Sequence, residues 1–274
     1  MALTAGDIGF NAVKAMSDNS RRALFPSVVG TPFRQTFSIE RAGRDKMIIT
    51  LEDETSWPVG ETALRQSDYT SGRRDAGWVL ERQWEVLFCA ALSELHKSTV
   101  STNVVTGLPL SDWTAWSGKL RNALIGEHTF TRNGRYQQTV TIENVTVITQ
   151  AYGALLDKAM SDTGRILKNP FSTGMAAVVD IGGNTLNLLV ADCLEEVGQW
   201  TQGNGLGLLK ALDTVAQDIH SAHPGIQPKT HEVAQWLADD SFRVGNKQHD
   251  IAPFAQPHLE PLAEMVVNRL SETW

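Results

Sequence analysis

Two stretches, TAGDIGFNAVKA (residues 4–15) and AAVVDIGGNTLNLLVA (residues 176–191), repeat the pattern Asp-Ile-Gly-x-Asn. In each stretch, the glycine and the polar residues interrupt an apolar run, which predicts a strand, a tight turn and a second strand. Asp7 and Asp180 begin the two copies and are 173 residues apart, so each half of the chain opens with the same unit. The repeat therefore indicates an internal duplication.

Each turn taken alone is consistent with two interpretations. Gly and Asn supply the positive φ angles of an ordinary hairpin turn, whereas a glycine-containing turn whose successive N–H groups point outward binds anions. Gly9, Gly182 and Gly183 have no Cβ, so a phosphate group could approach the backbone closely. Because the turn occurs twice, we favour phosphate binding. The alternative is a pair of similar hairpins, left by an old duplication, that bind nothing.

Charged residues flank both turns. Asp7 and Asp180 are predicted to lie where the first strand of each copy ends, where they could hold Mg²⁺ through its water shell. Lys14 follows Asp7 by seven residues and would return along the second strand to the β- and γ-phosphates. Two turns that bind one triphosphate from opposite sides would explain why the chain carries two copies.

Composition limits the classes of function. The formal net charge is −7, so the surface as a whole repels nucleic acid, and direct binding of DNA is not expected. Cys89 and Cys193 lie far apart without metal-ligand companions, which argues against a disulfide framework. The first residues do not read as a signal peptide, and no apolar run approaches the roughly 20 residues of a membrane-spanning helix. We therefore expect a cytoplasmic protein with no membrane contact.

Apolar patterning predicts an α/β chain in two halves. Strands are expected at residues 3–7 and 12–16, and a small β insert at about 33–75. The other elements predicted in the first half are a helix at 77–97, a strand at 104–110, a helix at 112–124, a hairpin turning at Asn133-Gly134, and a strand that gives way to a helix at Thr149-Gln150. A polar stretch at 161–174 separates the halves. The apolar strand at 175–180 then predicts a covered sheet.

The two turn motifs identify a family. DIGFNAVK and VVDIGGNTLNLLV resemble the first and second phosphate motifs of the actin/Hsp70/sugar-kinase superfamily. Within it, the chain is most similar to the actin-like ATPases of the ParM/StbA plasmid-segregation group. Three further stretches fit that group: FPSVVG (25–30), VVTGLPL (104–110) and GNGLGLLKALDTVAQDI (203–219).

The resemblance implies an actin-like, ribonuclease H-like duplicated fold, with two α/β halves around a nucleotide cleft. Domain I would span residues 1–160, and domain II residues 161–274 with a helical insert at about 213–258. Relatives continue into an adenosine motif and a C-terminal return to domain I. On this comparison, the chain ends before that motif.

The resemblance also implies roles for matching residues. Asp7 and Asp180 correspond to the aspartates that bind the water ligands of the metal, and Lys14 to the lysine that contacts phosphate. Residues that match the phosphate loops are Gly9, Phe10, Asn11, Gly182, Gly183, Asn184 and Thr185. Two positions depart from the family: Phe10 stands where actin has a hydroxyl residue, and Asn187 where plasmid actins often have an acid.

Gln150, in VITQAYGA, corresponds to the glutamine that orients the attacking water in actin. Its place at a strand-to-helix switch supports this role independently, because ligands bind at that edge of an open sheet. A helix-capping amide is the alternative. Gly205, Gly207 and Lys210 correspond to the segment beside ribose and adenine, or else form a glycine-marked turn before a helix.

The function implied by the resemblance is binding and hydrolysis of ATP (or GTP) with Mg²⁺, coupled to self-association into filaments. Such filaments would segregate plasmid DNA through a DNA-binding adaptor protein. Two alternatives stay open. A truncated chain could act as a non-catalytic assembly or scaffold module. A small-molecule kinase of the same superfamily would need an aspartate as base, and no residue stands at that position.

Overall fold

The computed structural model describes residues 2–32, 46–66, 70–71 and 76–274. The chain divides into two compact units, Met1–Gly153 and Ala154–Trp274. The division falls within a helix, whereas we predicted the domain boundary at residues 160 and 161. Much of the predicted β insert at 33–75 lies outside the described residues.

The first unit is built on strands. They are β1 (Ala2–Ile8), β2 (Ala12–Ser17), β3 (Arg22–Pro26), β4 (Val29–Gly30), β5 (Ile48–Leu51), β6 (Ser56–Pro58), β7 (Thr70–Ser71), β8 (Val100–Leu108), β9 (Gly126–Arg132) and β10 (Tyr136–Thr149). The helices are α1 (Glu61–Gln66), α2 (Arg82–Leu95), α3 (Leu110–Leu124) and the start of α4 (Gln150–Ala159), with a 3-10 helix at Ala76–Leu80. Both strands predicted around the first turn, at 3–7 and 12–16, are confirmed.

Eight of the described strands form one mixed sheet, in the order β3-β2-β1-β8-β10-β9-β5-β6. The central pairs β1–β8 and β8–β10 are parallel, and the pairs toward both edges are antiparallel. The helix predicted at 77–97 is α2, preceded by the 3-10 helix. It is buried on nearly every face from Trp84 to Leu95, because it packs against strands on both sides of the sheet centre, β1 to β3 on one side and β5 and β9 on the other.

β10 begins at one predicted feature and ends at another. β10 ends at Thr149 and α4 begins at Gln150, as predicted. The Asn133-Gly134 hairpin is also confirmed, since both residues have positive φ (54° and 67°) and join β9 to β10. β10 is longer than expected: it pairs with β9 over residues 136–142 and with β8 over residues 140–149, with a bulge at Glu143 in the pairing with β8.

The second unit contains the rest of α4, a short helix α5 (Pro170–Thr173) and a smaller sheet. Its strands are β11 (Met175–Ile181), β12 (Leu186–Asp192), β13 (Glu195–Glu196) and β14 (Gln202–Asn204). β12 lies in the centre of this sheet, between β11 on one side and β13 and β14 on the other. β12 is almost entirely buried, and α8 (Ala252–Thr273) packs its Val266 against Leu186 and Leu188.

The covered sheet predicted from residues 175–180 is wrong for β11. In the described residues β11 pairs only with β12, and its Met175, Val179 and Ile181 side chains are exposed. An apolar run predicts a covered strand only where other elements pack on both of its faces. The sequence of the strand alone does not predict whether other elements pack on it.

A second cluster is formed by α6 (Leu208–Ala222), α7 (Thr230–Ala238), the first half of α8 and a hairpin. The hairpin joins β15 (Ser241–Val244) to β16 (Lys247–Asp250), with Gly245 at φ 60° in its two-residue loop. The segment predicted as a helical insert, 213–258, therefore also contains strands. Among the described residues, no helix is both long and apolar enough to span a bilayer.

Candidate functional site

The first turn (residues 9–11) joins β1 to β2 and is closed by a bond from the Gly9 N–H to the Ala12 carbonyl, at 3.2 Å. Cross-strand register places Asp7 opposite Lys14. In an antiparallel pair, directly opposed residues lie on the same face. The structure thus places the aspartate and the lysine predicted for this site on one face of the hairpin, beside a turn whose Gly9 and Phe10 are only partly exposed.

The carbonyl groups of the first turn are held by Ser27, which lies between β3 and β4. Its hydroxyl donates to the Gly9 carbonyl (2.5 Å), and its N–H donates to the Asn11 carbonyl (3.0 Å). Ser27 is buried, at 4% exposure. Because a trans peptide directs its C=O and N–H in opposite directions, these bonds aim the N–H groups of Phe10 and Ala12 away from Ser27.

Phe10, at the tip of the first turn, packs inward on the 3-10 helix. Its ring is stacked on that of Trp78, with centroids 5.2 Å apart and planes at 22°. Phe10 therefore anchors the turn through an aromatic contact worth about 1 kcal/mol. It offers no side-chain donor to a phosphate, so any anion contact at this position falls to the backbone.

Gln150, the first residue of α4, donates from Nε2 to Asp7 Oδ1 at 2.7 Å. A Cβ at Gly107 on β8 would lie 3.1 Å from the Gln150 Cγ, so a glycine there leaves room for this side chain. With its amide nitrogen bonded to Asp7, Gln150 keeps its Oε1 as an acceptor for a water proton. The residues predicted to act on metal-bound water and on attacking water are therefore direct neighbours.

The second turn (residues 182–185) repeats the construction of the first. The Gly182 N–H donates to the Thr185 carbonyl at 2.8 Å, as Gly9 donates to Ala12. Asp180 pairs across the hairpin with Asn187, which occupies the position that Lys14 has in the first copy. The buried Asn187 donates from Nδ2 to Asp180 Oδ2 at 3.0 Å and so fixes the carboxylate.

The carbonyl groups of the second turn are bound by the N-terminus of α6. Leu208 N–H donates to the Gly182 carbonyl (3.2 Å), and Leu209 N–H to the Gly183 carbonyl (2.8 Å). Because the C=O and N–H of a trans peptide point in opposite directions, the N–H groups of Gly183 and Asn184 are directed away from α6. These bonds also satisfy two of the N–H groups that every helix N-terminus leaves without an internal partner.

Gly207, the residue before α6, makes the close approach possible. A Cβ there would overlap the backbone of Gly183 and Asn184. The structure thus places Gly207 against the second turn, whereas Gly205 and Lys210 are exposed on either side of it. Among described residues, no group of three or more His, Cys, Asp or Glu side chains could hold a metal ion. Asp7 and Asp180 each offer carboxylate oxygens that suit water-mediated Mg²⁺ contact.

Two family models match this chain. Residues 5–153 match the N-terminal domain of actin-like proteins, which is more than half of the chain. This chain is a member of the actin-like protein family. Residues 178–274 match the C-terminal domain of the MreB-like archaeal actin homologue. Among curated proteins, no sequence is significantly similar to it.

Solved structures confirm the actin-like α/β fold of this family member at low sequence identity. An archaeal actin homologue is 19% identical, with a TM-score of 0.79 and with 100% of this chain and 82% of that chain covered. The structure of its complex with ADP is 18% identical, with a TM-score of 0.76 and with 100% of this chain and 82% of that chain covered. ParM in a 15-stranded filament from Clostridium botulinum is 19% identical, with a TM-score of 0.77 and with 100% of this chain and 85% of that chain covered.

Sequence reasoning missed two residues of these actin-like turns. Ser27 lies in FPSVVG, a stretch that supported the family resemblance but predicted no role for the serine. The structure breaks it at Ser27, between β3 and β4. Asn187 was noted only as a departure from the family, whereas it is a buried donor to Asp180. The i to i+7 spacing shared with Asp7 and Lys14 would have predicted this pairing.

Proposed function

We propose that this actin-like protein binds ATP (or GTP) with Mg²⁺ through its two turns, hydrolyses it, and assembles with copies of itself into filaments. One observation carries the proposal. Each turn has its carbonyl oxygens bound within its own unit, by Ser27 in one case and by α6 in the other. Backbone N–H groups of each turn thereby point to the side away from these donors, and outward-pointing N–H groups are the chemistry that binds phosphate.

In this proposal, different residues have different roles in phosphoryl transfer. Turn N–H groups and Lys14 offset phosphate charge, and Asp7 and Asp180 hold the water ligands of the ion. Mg²⁺, when bound, adds positive charge beside the phosphates. Gln150, fixed by Asp7, would accept a hydrogen bond from the attacking water at its Oε1 and so orient that water toward the phosphate. Little covalent chemistry is required of the protein, so positioning dominates.

The assembly part of the proposal draws on the neighbours. One is ParM in a filament, and another is an archaeal actin homologue in complex with ADP. By analogy, we propose that nucleotide state controls filament growth in this chain, that the cargo is plasmid DNA, and that an adaptor protein links filament to DNA. The net charge of −7 favours an adaptor over direct contact with DNA.

Titration with a fluorescent ATP analogue, with and without Mg²⁺, tests the nucleotide site. We expect Mg²⁺-dependent binding in the micromolar range, and Asp180→Ala should abolish it, because the change removes a carboxylate beside the second turn and leaves Asn187 without its acceptor. Asp192→Ala is the matched control, since Asp192 is exposed at the far end of the same hairpin. Equal loss in both variants, or no binding by the wild type, contradicts the proposal.

A further inference from the structure

Ser27 makes two bonds to the first turn that differ in kind. Its N–H bond to Asn11 continues the β2–β3 ladder by one residue past the Ala12–Pro26 pair, so any residue except proline could make it. Its hydroxyl bond to the Gly9 carbonyl requires Ser or Thr. Of the two bonds, only the one made by the side chain therefore requires a particular residue type at position 27.

Gly9 is the residue whose peptide most needs such a bond. Gly9 has no Cβ, so its own backbone restricts the orientation of the peptide that follows it less than any other residue would. Rotation would exchange the Phe10 N–H for the Gly9 carbonyl on the open side of the turn. A carbonyl oxygen there would repel a phosphate that the N–H attracts. The Ser27 hydroxyl, buried at 4% exposure, binds the carbonyl on the other side.

We propose that Ser27 is a positioning residue of the phosphate site: its hydroxyl holds the Gly9 peptide in the orientation that presents the Phe10 N–H to phosphate. This rests on the proposed nucleotide binding. The second turn needs no such side chain, because backbone donors of α6 bind its carbonyls. Phe10 increases the need for it in the first turn, because its ring is stacked on Trp78 and its side chain offers no donor.

Two measurements on Ser27→Ala test the proposal. The first needs no nucleotide: amide hydrogen exchange resolved at residues 9–12. We expect exchange at Gly9, whose N–H closes the turn on the Ala12 carbonyl, to become about fivefold to tenfold faster, because the turn opens more often once it loses one buried hydrogen bond. The second is the Kd for Mg·ATP, which should rise by a similar factor. Ser27→Thr keeps a hydroxyl and should restore both values toward those of the wild type.

Ser93→Ala is the matched control. Ser93 is also a fully buried serine of the first unit, and its hydroxyl also donates to a backbone carbonyl, that of Ala90 (2.7 Å). It should lose similar thermal stability without changing exchange at Gly9 or the Kd. Unchanged exchange in Ser27→Ala overturns the proposal, as does faster exchange with an unchanged Kd. If the wild type binds no ATP, nucleotide binding fails, while the exchange measurement still decides whether the Ser27 hydroxyl holds the first turn in place.

Discussion

Gln150 and Asp7 form a direct hydrogen bond, and their effects on binding and on hydrolysis should nevertheless separate. We expect Gln150→Ala to leave the Kd for Mg·ATP nearly unchanged and to slow hydrolysis by about a hundredfold, the scale of the loss when a reacting group is misplaced. Single-turnover hydrolysis and equilibrium titration measure the two quantities. A loss of binding as large as that of Asp180→Ala would show that Gln150 is not the residue that orients the water.

His96 is the residue whose titration should affect stability. It is buried beside Thr4, whose hydroxyl lies 2.9 Å from its Nε2, and burial lowers its pKa below the ordinary value of 6.5, with a smaller opposing effect from Asp18. Below pH 6.5 the unfolded chain therefore binds the proton more readily than the folded chain does. The stability that depends on neutral His96 is present above pH 6.5 and decreases as the pH falls through that value.

Denaturant unfolding at pH 7.5 and pH 5.0 measures this contribution. We expect the free energy of unfolding of the wild type to fall with acidification, and His96→Gln to show a smaller fall because it cannot be protonated. Other groups also titrate in this range, so the comparison is the difference between the two proteins. An identical pH dependence in both would exclude His96 as a contributor.

At the scale of elements, α6 binds the second turn through its first two N–H groups. Gly207 allows the helix to approach the turn closely enough to form these bonds. Gly207→Ala would place a Cβ into the main chain of Gly183 and Asn184, which cannot rotate away as a side chain can. We expect a loss of about 1–3 kcal/mol in the free energy of unfolding, as for other overpacked positions, and at least tenfold weaker Mg·ATP binding.

Gly225→Ala is a close control for that change. Gly225 follows the other end of α6, and a Cβ there would meet no atom within 4 Å. Thermal unfolding and nucleotide titration of both variants distinguish the contact from a general effect of losing a glycine. Equal behaviour of the two variants would show that the approach of α6 to the turn does not matter for binding.

At the scale of the whole molecule, the proposed filament is the property to measure. Sedimentation with Mg·ATP, with Mg·ADP and without nucleotide should show pelleting that depends on the nucleotide, because the proposal couples assembly to nucleotide state. Asp180→Ala should stay in the supernatant under all three conditions. Pelleting that is the same with and without nucleotide would indicate aggregation, and none under any condition would contradict assembly.

Local pattern predicted the elements that place the site. The repeat Asp-Ile-Gly-x-Asn predicted both hairpins, and the Asn133-Gly134 turn and the Thr149-Gln150 switch were also correct, because each depends on residues a few positions apart. The exposure of β11, the bulge in β10 and the break at Ser27 were not predicted. Each of these depends on which distant strand or helix lies alongside.

The sequence alone determined the duplication, the two aspartates and the glycines of the turns, because these are periodic or local features of the chain. The tertiary structure decided which donors bind the turn carbonyls. The donor to the first turn is Ser27, which follows the end of β3 and lies 18 residues after Gly9. The donors to the second turn are at the start of α6, which follows β14. A hydrogen bond is set by distance in space, and no local pattern encodes that distance. For this reason, the orientation of the N–H groups that would bind phosphate could be read only from the folded chain.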